Sequence, residues 1–377
     1  MAGELADSSS RKKEALFANR EEFARIVPLL RERGYAVIGP TIEQGAIVYA
    51  PIDSVEQLPI GWTDRQEAGM YRLERRADDA WFGYVVGPFS WKQYLFPPHT
   101  KMSESLLTAE GWEFRAVEDD APMYAFLGVR ACDLAALAIQ DRVFMNGPYV
   151  DPVYEKRRRR ALTIAVNCTQ AAPTCFCASM GTGPHCRYGF DIAVTELSDG
   201  FLLEVGSERG EEIVSGLATS AATELQMAEA HQRRARAVAQ ITRKLDTHDI
   251  RNVLLSQLEH PRWQHVAERC LSCANCTMVC PTCFCCSVEE VADLAETRVE
   301  RHRSWDSCFN WNFSYMNGGI VRQDIRARYR QWLTHKLASW IDQFGVSGCV
   351  GCGRCITWCP VGIDLTEEVA VIRGEAT

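Results

Sequence analysis

The sequence predicts two regions of different fold class: an α/β (or α+β) domain over residues 1–215 and an all-α domain over residues 216–377. Up to about residue 215, short extended runs alternate with helical ones. Two of the extended runs, 124–129 and 162–166, are almost wholly apolar, as central strands covered on both faces are. Beyond residue 216 extended runs disappear, and apolar residues recur at helical spacing over 221–245, 250–258, 263–269 and 329–344. With 377 residues, 47% of them hydrophobic, the chain can bury two cores.

Taken in order, residues 15–33 read as an amphipathic helix, and 35–38, 46–50 and 83–86 as short strands rich in Val, Ile and Tyr. Residues 132–139 read as a helix directly behind the 124–129 strand. Residues 191–196 and 201–205 are joined by Leu197-Ser198-Asp199-Gly200, a hairpin signal. In the second region Pro261 stands where a helix begins. Ser287 with Glu290, and Asp364 with Glu367, have the spacing of a capping box, so each predicts a helix start.

Each of those two starts follows a cysteine run. Cys270, Cys273, Cys276 and Cys280-Pro281, and again Cys349, Cys352, Cys355 and Cys359-Pro360, read C-x2-C-x2-C-x3-C-P. Three thiolates of such a loop wrap three corners of an iron-sulfur cube, and the fourth cysteine reaches the other cluster. The spacing therefore predicts one 4Fe-4S cluster on Cys270, Cys273, Cys276 and Cys359, and a second on Cys349, Cys352, Cys355 and Cys280. The all-α region reads as a helical two-cluster ferredoxin domain. One such run could hold zinc; two in one chain point to clusters.

Composition excludes several classes. Seventeen cysteines in so long a chain, behind an amino terminus without an apolar h-region, predict a reducing, cytoplasmic compartment with thiolates held by metal. No apolar run approaches a membrane span. A net charge of -8 argues against nucleic acid, and Lys156-Arg157-Arg158-Arg159-Arg160 reads as a solvated turn or a docking patch for an acidic protein. No G-x-G-x-x-G, P-loop or C-x2-C-H motif offers a nucleotide or haem site, and no catalytic residue is assigned.

Nine cysteines remain. Pro173-Thr174-Cys175-Phe176-Cys177 recurs verbatim as Pro281-Thr282-Cys283-Phe284-Cys285. Cys132 opens a helix, whose free amides and dipole favour a thiolate or cluster. Cys168 ends the 162–166 strand. If the two apolar strands are neighbours, Cys132, Cys168, Cys175 and Cys177 meet beyond their carboxyl ends, where α/β folds bind ligands, and hold a third 4Fe-4S cluster. The competing readings are core packing, to which cysteine is well suited, and a zinc site on Cys175, Cys177, Cys186 and His185. Cys308 reads as core. Cys283, Cys285 and Cys286 read as lining for the first loop, as a source of backbone hydrogen bonds to it, or as substitute ligands. The aromatic stretch 305–315 reads as shielding for a cluster.

Residues 83–89 (Gly-Tyr-Val-Val-Gly-Pro-Phe), 127–133 (Leu-Gly-Val-Arg-Ala-Cys-Asp), Asn167-Cys168, 174–184 and the two cysteine runs resemble the iron-sulfur beta subunit of NiFe sulfhydrogenases over nearly the whole chain. The A subunit of anaerobic sulfite reductase is similar. The resemblance implies an electron relay between a flavin- and NAD(P)-binding, diaphorase-type subunit and a hydrogenase of small and large subunits, with FAD, NAD(P) and the NiFe centre on those partners. In the sulfite reductase case the recipient is a sirohaem subunit. The resemblance also places the third cluster on Cys132, Cys168, Cys175 and Cys177, with Asp133 or Cys186 as the alternative for one ligand. Cys286 and Cys308 depart from the family pattern. A reading of another class is a non-redox metal-binding assembly or regulatory module.

Overall fold

A computed structural model describes residues 15–374; the reading of the amino terminus as free of an h-region rests on residues outside that range. The strands are β1 (Leu16–Asn19), β2 (Tyr35–Glu43), β3 (Ala46–Pro51), β4 (Trp62–Glu67), β5 (Met70–Arg75), β6 (His99–Thr108), β7 (Gly111–Ala116), β8 (Met123–Val129), β9 (Leu162–Val166), β10 (Ile192–Glu196), β11 (Gly200–Val205), β12 (Ser220–Ala221), β13 (Cys286–Ala292) and β14 (Arg298–Trp305). Two further short strands, Tyr315–Met316 and Gly319–Ile320, pair with each other.

Eight strands form one mixed sheet in the order β12-β1-β11-β10-β9-β8-β2-β3. Its centre, β2, β8, β9 and β10, is parallel. Consecutive residues of these strands enter opposite cores: Val37, Leu127, Ile164 and Val194 face Phe23, Ile26 and Phe201, whereas Ile38, Phe126, Ala165 and Ala193 face Trp91, Phe96 and Tyr154. That two-sided burial is why β8 and β9 read as unbroken apolar runs. The register slips between Leu127 and Val129, and Gly128 takes φ +98° there. The resulting bulge re-aims the chain just before Arg130 and Cys132.

Local departures from the expected elements have physical causes. Residues 15–33 begin as strand β1, paired with β11, because the Asn19 side chain caps the helix Arg20–Ala24 by accepting from Glu22 N and stops it extending backward. Residues 83–86 are not a strand. The backbone N–H of Val85 donates to the buried Asp64 carboxylate, and those of Trp81 and Phe82 to Glu196, instead of to a neighbouring strand.

The expectation that the carboxy-terminal region is all-α is corrected. Its helices are there: Ile250–Ser256, Arg262–Arg269, Ile325–Thr334 and Leu365–Arg373 surround a core of Trp263, Tyr329, Leu333, Leu337 and Val369, whereas Glu224–Gln240 packs on β11 of the large sheet, with Ala230 against Leu197 and Leu202. Between the two cysteine runs, however, β13 and β14 form a hairpin that joins β6 and β7 in a four-stranded antiparallel sheet, order β13-β14-β6-β7. The Ser287/Glu290 pattern therefore lies in a strand: Glu290 stands opposite Arg301 and accepts its guanidinium across the hairpin. Asp364 does cap its helix, accepting from Thr366 N at 2.9 Å.

Candidate metal centres

The two cysteine runs adopt the same backbone shape. Cys270 ends the helix Arg262–Arg269, Ser272 and Ala274 take left-handed φ of 52° and 66°, and the turn Asn275–Met278 follows. In the second run Gly351 and Gly353 take φ of 63° and 78° before the turn Arg354–Thr357. Alternating left-handed residues turn backbone amides inward. Ser272 N lies 3.4 Å from Cys270 Sγ, Gly351 N 3.4 Å from Cys349 Sγ, and Ile363 N 3.3 Å from Cys359 Sγ. Such N–H donors stabilise a thiolate.

Cys270, Cys273, Cys276 and Cys359 line one hollow walled by Phe309, Tyr329, Ile363 and Leu365; Cys355 also reaches it. Within it Cys276 has Cys270, Cys359 and Cys273 as its charge neighbours. Cys355 in turn neighbours Cys349, Cys352 and Cys280. The fold thus brings Cys359 beside the thiols of the first run and Cys280 beside those of the second. Burial pushes the Cys349 thiol up to about 12, opposed by the Lys336 ammonium and the Gly351 amide. Cys280 moves the other way. A hydrogen bond from Cys283 holds it well below its ordinary value against its own burial, and Lys336 Nζ lies 3.2 Å from its sulfur.

The parallel pairing of β8 with β9 sets Cys132 and Cys168 beyond the same sheet edge. Cys177 neighbours Cys175, Cys168 and Cys352, and Cys132 neighbours Cys352 and Cys177. Gly183 permits this crowding, since a Cβ there would stand 3.0 Å from Cys177 Sγ. Burial raises Cys175 to about 12. Of the alternative ligands, Asp133 is taken: both its oxygens receive the buried Arg354 guanidinium, at 2.7 and 3.1 Å. Cys186 is buried beside Cys168, and its N–H donates to Asn167. His185 lies against Arg234, and among the described residues no three His, Cys, Asp or Glu side chains converge as a single zinc ion requires.

Five buried cations around these thiols are not anticipated from the sequence: Arg130, Arg354, Lys336, Lys92 and, beside Cys270, Arg328. For the first four the signal is present, as charges inside otherwise apolar or cysteine-rich stretches. Arg130 tests the fit of an anionic cluster. Its Nη2 donates to the carbonyls of Phe82 and Tyr84, its guanidinium lies 4.7 Å over the Tyr84 ring, Nε and Nη1 are buried without an oxygen acceptor, and the charge that acts on it most strongly is that of Cys168, whose thiol it hydrogen-bonds. A buried guanidinium with donors to spare favours a thiolate at Cys168, and would suit the sulfurs of an anionic cluster held there.

A 4Fe-4S dicluster domain family matches residues 269–363. The chain is 34% identical over 361 residues, 94% of its length and 96% of the relative's, to sulfhydrogenase 2 subunit beta of Pyrococcus furiosus. No solved structure matches it.

Proposed function

Because the chain belongs to the sulfhydrogenase beta-subunit family, we propose that it relays electrons between a flavin- and NAD(P)-binding subunit and a nickel-iron hydrogenase core. Two 4Fe-4S clusters would be held by Cys270, Cys273, Cys276 and Cys359 and by Cys349, Cys352, Cys355 and Cys280, and a third by Cys132, Cys168, Cys175 and Cys177. Bound clusters supply one-electron transfer; the chain supplies spacing, burial and hydrogen bonds, which set their potentials.

The observation that carries this reading is the place of Cys352. It belongs to the second set of thiols, yet Cys132, Cys175 and Cys177 of the third set are all its neighbours. Cys355 likewise reaches the hollow of the first set. The three sets thus form a row with the second in the middle. Arg354, paired with Asp133 in the interior, ties the middle loop to the helix Ala131–Phe144 that carries Cys132.

In the assembled complex, Cys352→Ser is expected to leave hydrogen-driven reduction of an artificial dye at the nickel-iron subunit intact while abolishing nucleotide reduction. Loss of both activities, or of neither, would reject the relay.

A further inference from the structure

The second copy of the Pro-Thr-Cys-Phe-Cys segment has no part in the three sets above, and the fold gives it a matching position. The two copies flank the same cysteine loop. From the first, Phe176 N donates to Gly351 O at 2.9 Å; from the second, Thr282 Oγ1 donates to Gly348 O at 2.6 Å. Thr174 and Thr282 are both fully buried. A five-residue device that presents two thiols on one side of the loop therefore presents two more on the other.

Those thiols find a third. Cys285 is hydrogen-bonded to Cys308, and Cys283 neighbours Cys285. Together they line a cavity of about 530 Å³ with His335, Lys336 and Trp332. The surroundings favour negative charge. Lys336, fully buried, lies 3.5 Å from Cys283 Sγ, and Lys92 donates to Cys283 O at 3.2 Å while lying over the Trp305 ring. The indole N–H groups of Trp332 and Trp340, both lining the cavity, are buried without a partner, so donors are available to an anionic occupant. Cys286 also lines the cavity, but one residue further along the extended chain it begins β13, where Arg303 is the charge that acts on it most strongly, ahead of Cys285.

We propose that Cys283, Cys285 and Cys308 hold a fourth 4Fe-4S cluster, three of its corners bound by protein thiolates and the fourth turned to the cavity. It rests on the reading of the other three sets as clusters. Its position suits a branch of the relay, for Cys283 touches Cys280 of the second set and Cys308 neighbours Cys276 of the first.

The test is iron content of the anaerobically purified full chain, with electron paramagnetic resonance of the dithionite-reduced protein. The wild type is expected to hold about 16 iron, four per cluster, and the Cys285→Ser/Cys308→Ser double variant about one quarter less, with one reduced signal lost. Cys286→Ser should keep all of it. Cyanide added to the reduced wild type should shift the signal of one cluster, the one with an exchangeable corner. About 12 iron in the wild type with no cyanide effect overturns the proposal while leaving the three-cluster relay standing. Unchanged iron in the double variant also overturns it, leaving the thiols as a redox pair or as packing. If the double variant fails to fold, the wild-type iron count and the cyanide shift decide. Neither of these measures electron delivery, so a relay rejected by Cys352→Ser would leave the fourth cluster to stand or fall on its own iron and signal.

Discussion

The two cysteine loops share a spacing and a backbone shape but not an environment. In the first, Cys273 is exposed, Leu271 is 63% exposed, and the left-handed positions are Ser272 and Ala274. In the second, Cys349, Val350 and Cys352 are buried, Arg354 is 0% exposed, and the equivalent positions are Gly351 and Gly353. Left-handed φ alone does not explain the glycines, since the first loop manages it without them. Contact does. A Cβ at Gly351 would stand 2.7 Å from backbone atoms of Phe176 and Cys177, and one at Gly353 would stand 2.5 Å from Thr174 O. The second loop is an interior junction on which the amino-terminal region is built, and the first faces outward.

The largest effect is expected at Arg354. Arg354→Met strands the Asp133 carboxylate in the interior and is expected to cost about 3–5 kcal/mol in denaturant unfolding of the anaerobic protein. The Arg354→Met/Asp133→Leu pair should recover most of it; an additive double variant would mean that the pair does not hold the junction. Next comes Gly351→Ala, where backbone overpacking and a left-handed alanine together predict a loss of about 2–4 kcal/mol. A silent substitution there would show that the amino-terminal region does not press on the second loop.

A ferrous chelator separates the two loops without mutation. Iron should leave in at least two phases, and Cys273→Ser should accelerate the fast one, because the outward loop admits the chelator first. A single phase would make the two loops equivalent. The smallest effect is at Ala274→Gly, where removing the left-handed penalty of about 1 kcal/mol is offset in part by the loss of a methyl packed against the carboxy-terminal core, leaving a net change within about 1 kcal/mol.

Much of the site was legible because ligand spacing within a loop is local. That Cys359 neighbours the first loop and Cys280 the second followed from the motif, and the positions of Cys132 and Cys168 beyond the same ends of β8 and β9 followed from two apolar runs that behave as paired strands. The all-α expectation failed for the opposite reason. Residues 286–305 carry a capping pattern as well as alternating side chains, and what decides for strands is β6, whose residues 99–108 lie far away in sequence and complete the hairpin's sheet. Cys308, read as core, does pack against the carboxy-terminal core; that Cys285 is its neighbour was not legible, because the hairpin brings the two together.

Short-range spacing and apolar periodicity were enough to give the grouping of the loop thiols and the buried parallel strands. Which loop is interior, which cations face the sulfurs, and that Arg354 closes on Asp133, 221 residues away, were left to the tertiary structure. Such choices depend on which surfaces exclude water together. A buried charge must find its partner wherever the fold delivers one, and no local pattern encodes that meeting.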